Sequence, residues 1–397
     1  MNGINLEVLR DKNGLIIFVS QLVSSVCDKM MSIGLIWYLT KQFGIYVVPW
    51  YLVASFLPHL IMAFFSTTFI NKIGTLKIVI ASEIFRAIIL VVLYFLILIF
   101  KIEGELLLAS LFISGFLVGI GSSLFNPAIL SLPPQLVTSE KVAGLNGLID
   151  SSMSNSTILG SSFAIFILNV VDLKMLILIN GLSFLWAGLL QMGIKPLRNL
   201  NNEIKKEARD EKIITPMSVL KKYPEIGRML ASFLFLNLIF TPLLVMIPWF
   251  VEKIYKGQGQ DLALIEGSMG LGAFLTGLYL SLASFQLKEH KRISMIAIVS
   301  FFFGVFYFAF AYTFLTWQGA FIFFSIGALS TFLNIQVLTY FQTSLLEEEV
   351  PAIMTAVNII SAASIPLSLS ISGLIFPNVY IPSFAKVSGI LIIVIAL

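Results

Sequence analysis

The stretch 195–228, KPLRNLNNEIKKEARDEKIITPMSVLKKYPEIGR, is the one long hydrophilic piece of a 397-residue chain. It carries nine basic residues (Lys195, Arg198, Lys205, Lys206, Arg209, Lys212, Lys221, Lys222 and Arg228) interleaved with Glu203, Glu207, Asp210, Glu211 and Glu225. A membrane-spanning helix needs about 20 apolar residues, at about 1.5 Å rise each, to cross about 30 Å of hydrocarbon. The greasy sequence on either side suffices for about six such helices each. The chain therefore reads as two membrane halves, 1–194 and 229–397, hinged on a charged connector at 195–228.

Composition says the same. Hydrophobic residues make up 58% and charged residues 12%, against roughly 25% charged in a soluble domain. One cysteine, Cys27, forbids an internal disulfide, and with only His59 and His290 there is no histidine or cysteine cluster of zinc-site spacing. No metal and no cofactor is expected. The net charge of +4 is explained by where the positive residues fall, so no nucleic-acid partner is expected. Twelve spans threaded from the connector put seventeen Lys/Arg on its side of the membrane, five on the other (Lys41, Lys101, Lys174, Lys253, Lys256) and three within spans (Lys29, Arg86, Lys386). Cytoplasmic loops carry the excess of Lys and Arg, so the connector and both termini are placed in the cytoplasm.

The first half reads as spans at 14–39, 46–70, a third opening after Lys72 and Lys77, a fourth within 106–139, and 143–169 and 175–194. The opening apolar run is too long for a removable signal peptide and has no small-residue cleavage site behind it. Gln21, Ser25, Asp28 and Ser32 recur at helical spacing in span one and form one polar stripe; such a stripe must face protein or water. Span five carries a second stripe: Asn146, Asp150, Ser154, Thr157 and Ser161. Pro58 is expected to kink span two, and His59 beside it reads either as a proton relay or as a histidine packed against a neighbouring helix. Glu83 and Arg86, three residues apart in span three, suit an ion pair. Gly115 and Gly119 suit close helix packing.

The second half reads as spans at 229–251, 262–285, two within the uncharged run 293–346 with a break near 313–319, then 350–376 and 381–397. Gly267, Gly270, Gly272 and Gly277 prepare the eighth span for close contact or bending. The halves echo each other, with Asn126, Gln135 and Asn146 in the first and Asn334, Gln342 and Asn358 in the second. Six plus six helices about a cytoplasmic connector fits duplicated transporter halves.

The order of Phe125-Asn126-Pro127-Ala128, Leu132-Pro133, Leu145-Asn146, Gly160, Pro242 through Ile247-Pro248 and the segment 334–342 resembles the major facilitator superfamily, in its branch of macrolide efflux proteins, enterobactin exporters and lysophospholipid transporters. Asp28 matches a carboxylate usual in that branch, with Cys27 where a glycine normally precedes it, and Glu83 and Arg86 match the acidic and basic pair of span three. Departures stand beside these. Asn71-Lys72 replaces an aspartate-arginine pair after span two, Thr67 a glycine before it, Gly160-Ser161 the glycine-proline of many drug/proton antiporters, and Pro351-Ala352 stands near a missing glycine-arginine.

The resemblance implies an all-α membrane protein of twelve transmembrane helices in two six-helix bundles, a multi-pass monomer of a bacterial-type cytoplasmic (inner) membrane. It also implies a central cavity between the halves that opens to each side in turn. Cavity candidates are Gln21, Ser25, Asn126, Asn146, Thr157, Asn237, Asn334 and Gln342. Few polar anchors among apolar walls, with 35 phenylalanines in the chain, suit a small amphipathic compound or a lipid rather than a sugar. No Gly-rich phosphate loop is present, so ATP is not the energy source. Buried carboxylates are plausible proton carriers: Asp28 first, then Asp150 and Glu83, unless Lys29 and Arg86 pair with them in a static network. The expected function is export of a drug-like molecule or siderophore, with lysophospholipid flipping as the alternative. A receptor or scaffold lacks a soluble domain to signal through, and an enzyme lacks a nucleophile–base pair or metal set.

Overall fold

Chain that cannot hydrogen-bond to lipid must satisfy its backbone internally, and the apolar segments do so as helices. The computed structural model describes residues 11–62, 65–168, 170–197, 216–282, 289–346 and 349–396, among which there is no strand. The first half holds α1 (Lys12–Phe43), α2 (Val47–Met62), α3 (Ser66–Ile73), α4 (Thr75–Phe100), α5 (Gly104–Ser131), the single turn α6 (Pro133–Leu136), α7 (Ser139–Ile167) and α8 (Leu173–Gln191). Then come α9 (Pro216–Lys222), α10 (Pro224–Trp249), continued as a π-helical turn Phe250–Ile254, α11 (Gly259–Leu282), α12 (Glu289–Phe310), α13 (Thr316–Thr343), α14 (Val350–Ile375) and α15 (Ile381–Ala396). Among the described residues, nine helices are long and apolar enough to cross a membrane, and three shorter apolar ones (Val47–Met62, Asn155–Ile167, Ile381–Ala396) complete the twelve expected spans. The middle of the connector, 198–215, lies outside the described residues.

The second span is not the single kinked helix expected over 46–70. Pro58 sits inside α2 without ending it, because a proline removes one backbone donor and its neighbours can carry the helix past it. The chain turns later, where the Phe65 amide donates to Met62 O at 3.0 Å, and α3 restarts at Ser66, a residue type that favours helix starts over interiors. Elsewhere the breaks fall close to expectation. The uncharged run 293–346 divides between Phe310 and Thr316.

The chain packs as two compact units, one of Met1–Leu35 with Ala54–Glu211, the other of Ile36–Val53 with Lys212–Leu397. In the first, α4 packs on α5 and α8. Gly119 of α5 lies against the Ser55 carbonyl of α2, and Gly160 of α7 against the Val26 carbonyl and Lys29 stem of α1. In the second, the helices in the same order pair the same way: α12 with α13 and α15, α11 with α13, and α10 with α14. The order of helix packing thus repeats between the units. Small residues make the close crossings, as lipid-embedded helices require.

Polar clips hold the helix ends nearest the connector. The Asn13 side-chain amide donates to Leu136 O at 3.2 Å and Lys195 O at 2.9 Å, and Gln135 donates to Thr75 Oγ1 at 2.9 Å. In the second unit Lys222 at the end of α9 meets Glu349 at 2.7 Å, and that hydrogen bond holds the Glu349 carboxyl below its usual range.

Candidate functional site

Two places bring predicted residues together, one in each unit. In the first, α1 needs a polar face because Ser20, Gln21, Ser24 and Asp28 recur at three- and four-residue spacing along it. Ser20, Gln21 and Ser24 are buried, whereas Asp28, expected among the buried carboxylates, is exposed. The Asn180 side-chain amide of α8 donates to Asp28 Oδ1 at 3.0 Å and lies 3.1 Å from Met31 Sδ. Ser183 donates in turn to Asn180 O at 2.8 Å. One helical face further along, Gln191 Nε2 donates to Ser20 Oγ at 3.0 Å, and Gln21 Nε2 donates to Ser25 Oγ at 2.8 Å.

Behind this ladder stands the pair on α4. Arg86 Nη2 lies 2.9 Å from Glu83 Oε2, and both side chains are buried. The guanidinium is held between two rings, 4.1 Å from the centroid of Phe184 and 4.6 Å from that of Phe125. Gly121 leaves room for the Arg86 stem and Gly188 for Glu83 Cβ. A cation so placed is stabilised by ring faces as well as by its carboxylate partner.

The residues that sequence reasoning passed over here are Asn180, Ser183 and Gln191. Their signal was legible: Asn180, Ser183, Ala187 and Gln191 repeat at three, four and four residues along span six, the same test that picked out span one.

The other predicted residues fall as follows. Lys29 lies against Gly160 and is engaged by a partner. Asn126 and Asn146 are exposed, and Thr157 is half-buried. The side chains of Asp150 and Gln342 lie outside the described residues.

Asn237 and Asn334 come together in the second unit, on the wall of a cavity of about 460 Å³ formed by α10, α12, α13 and the end of α15. Asn237 donates its amide to Phe233 O at 2.8 Å. The remaining wall is mostly apolar.

Comparison with known proteins accords with these observations. Macrolide efflux protein A of Streptococcus pyogenes is 22% identical over 395 residues, which span 96% of this chain and 93% of that protein. A bacterial homologue of the iron transporter ferroportin in its inward-facing state has a TM-score of 0.73 at 14% identity, covering 98% of each chain. A D-xylose-proton symporter has a TM-score of 0.69 at 11% identity, covering 97% of this chain and 96% of its own. At such identities the structural likeness speaks for the fold. The family model of the Major Facilitator Superfamily matches residues 17–369, and with apolar helices in repeated pairings among the described residues the chain belongs to that superfamily as a multi-pass membrane transporter.

Proposed function

We propose that this transporter works by alternating access and exports a small amphipathic compound, of the drug-like or siderophore kind, in exchange for protons across a bacterial-type cytoplasmic membrane with both termini inside. The observation that carries the reading is Asp28, an exposed carboxylate in the middle of an apolar span, held by the Asn180 amide. Ionisable groups at membrane depth are costly and mark ion or substrate pathways. An amide is a fitting partner for a group that gains and loses a proton, since it offers both donors and an acceptor. Asn180 therefore serves Asp28 in the charged state by donating and in the neutral state by accepting. Glu83 is held instead by Arg86, beneath two rings.

The substrate class follows from few polar groups among many apolar ones, and the full-length similarity to a macrolide efflux protein supports export. Lysophospholipid flipping is the second reading, favoured by the apolar cavity of the second unit.

Asp28→Asn is the test. In proteoliposomes with an imposed pH gradient, the variant is expected to insert and fold as wild type but to lose gradient-driven transport, by about a hundredfold if proton exchange is obligatory. Exchange without a gradient should persist. Undiminished gradient-driven transport in Asp28→Asn removes Asp28 from coupling.

A further inference from the structure

We infer that the cavity inside the second unit is a binding slot for a narrow amphiphile, a molecule with one extended apolar body and a zwitterionic end. The inference relies on the transporter reading only for where such a ligand would travel, not for its binding.

The shape comes first. Lining residues run from Glu225 to Phe240 on α10 and from Ile293 to Phe303 on α12, which is roughly 15–22 Å of helix at 1.5 Å per residue. A cavity of about 460 Å³ spread over that length admits an extended hydrocarbon chain or a row of rings. Phe240 and Phe303, whose ring centroids lie 5.7 Å apart, line one end. Tyr307 stands behind them, its hydroxyl donating to Ile239 O at 3.0 Å.

Chemistry then sets the orientation. Opposite the aromatic end, Glu225 and Arg228 lie one turn apart on α10, both exposed and both on the wall. An anionic group meets Arg228 through charge-assisted hydrogen bonds while a cationic group beside it meets Glu225. A ligand of a single charge would leave one of the two facing a like charge. Midway, Asn334 and Ser300 give a hydroxyl or ester on the body something to bond.

Among the corresponding helices of the first unit, α1, α4, α5 and α8, the Arg86 guanidinium lies between Phe125 and Phe184, with Glu83 beside it. In the second unit Phe303 and Ser300 stand on the matching helix, α12, and the cavity stays open. Close-packed proteins seldom leave a void of this size unfilled, and volumes of about 300–1,000 Å³ are those of ligand sites.

The test uses the full chain in lipid nanodiscs and radiolabelled dodecylphosphocholine, a single-chain zwitterion, below its micelle concentration. Saturable binding is expected. Ala297→Phe, which puts a ring into the slot, should weaken it by about tenfold or more, the scale of an overpacked site. Arg228→Gln should weaken dodecylphosphocholine by about tenfold, the scale of a hydrogen bond to a charge, yet should not weaken dodecyltrimethylammonium, which has no phosphate and is relieved of a like charge. Arg228 is exposed, so that variant carries the test if Ala297→Phe does not fold. Uptake no greater than into empty nanodiscs overturns the slot, as does unchanged dodecylphosphocholine binding in Arg228→Gln or in a folded Ala297→Phe. Because binding is read with no gradient, a slot that binds in a protein that does not export upholds this inference and sinks proton-coupled export, and the converse result does the reverse.

Discussion

Arg86→Ala is expected to destabilise the first unit by about 3–5 kcal/mol, the cost of removing one partner from a buried ion pair. Glu83 would be left buried with no cation at 2.9 Å, and its other oxygen, Oε1, already has no hydrogen-bond partner among the described residues. The rings of Phe125 and Phe184 would face an empty space where the guanidinium now lies. Much of the loss comes from the stranded carboxylate, and a double variant separates the two parts. Arg86→Met with Glu83→Gln keeps most of the volume and removes both charges, so it should be clearly less destabilised than Arg86→Ala alone. Unfolding midpoints of purified protein in mixed micelles check this. A wild-type midpoint for Arg86→Ala, or a double variant worse than the single, would show that the pair does not hold this unit together.

The second large effect is at Gly327. A β-carbon there would run into the Met269 carbonyl of α11, and one on Gly272 of α11 would run into the Phe324 carbonyl of α13. Each helix has a glycine where the other's backbone comes closest. Backbone cannot rotate away as a side chain can, so Gly327→Ala must push the helices apart, at about 1–3 kcal/mol or more. Gly277→Ala on the same helix pair is the control, because its β-carbon would meet only Thr331 Cγ2 at 4.0 Å. Alanine is also the better helix former by about 1 kcal/mol. Gly277→Ala should therefore be neutral or stabilising while Gly327→Ala lowers both the midpoint and the yield of monodisperse protein. Equal behaviour of the two would mean that the crossing is looser than the structure has it.

The helices were legible because each is written in a run of apolar residues long enough to cross a bilayer, punctuated by Lys, Pro or Gly. Asp28, Glu83 and Arg86 were legible because a charge inside such a run has few bland explanations. What hid was anything that depends on which helices become neighbours. Asn180 is an ordinary amide in its own span and acquires its meaning from Asp28, 152 positions away. That Asn237 and Asn334 would both line one cavity of the second unit was hidden for the same reason, since one face of a helix does not say which partner it will meet. The turn at Phe65 was missed for a local reason: Pro58, seven residues earlier, is the louder signal.

Energised inverted membrane vesicles put export itself to the test. With a radiolabelled macrolide or lysophospholipid outside, vesicles bearing this protein should accumulate the label, and a protonophore should abolish the accumulation. Uptake no greater than into vesicles lacking the protein, or uptake that the protonophore leaves unchanged, would contradict proton-driven export of amphipathic molecules.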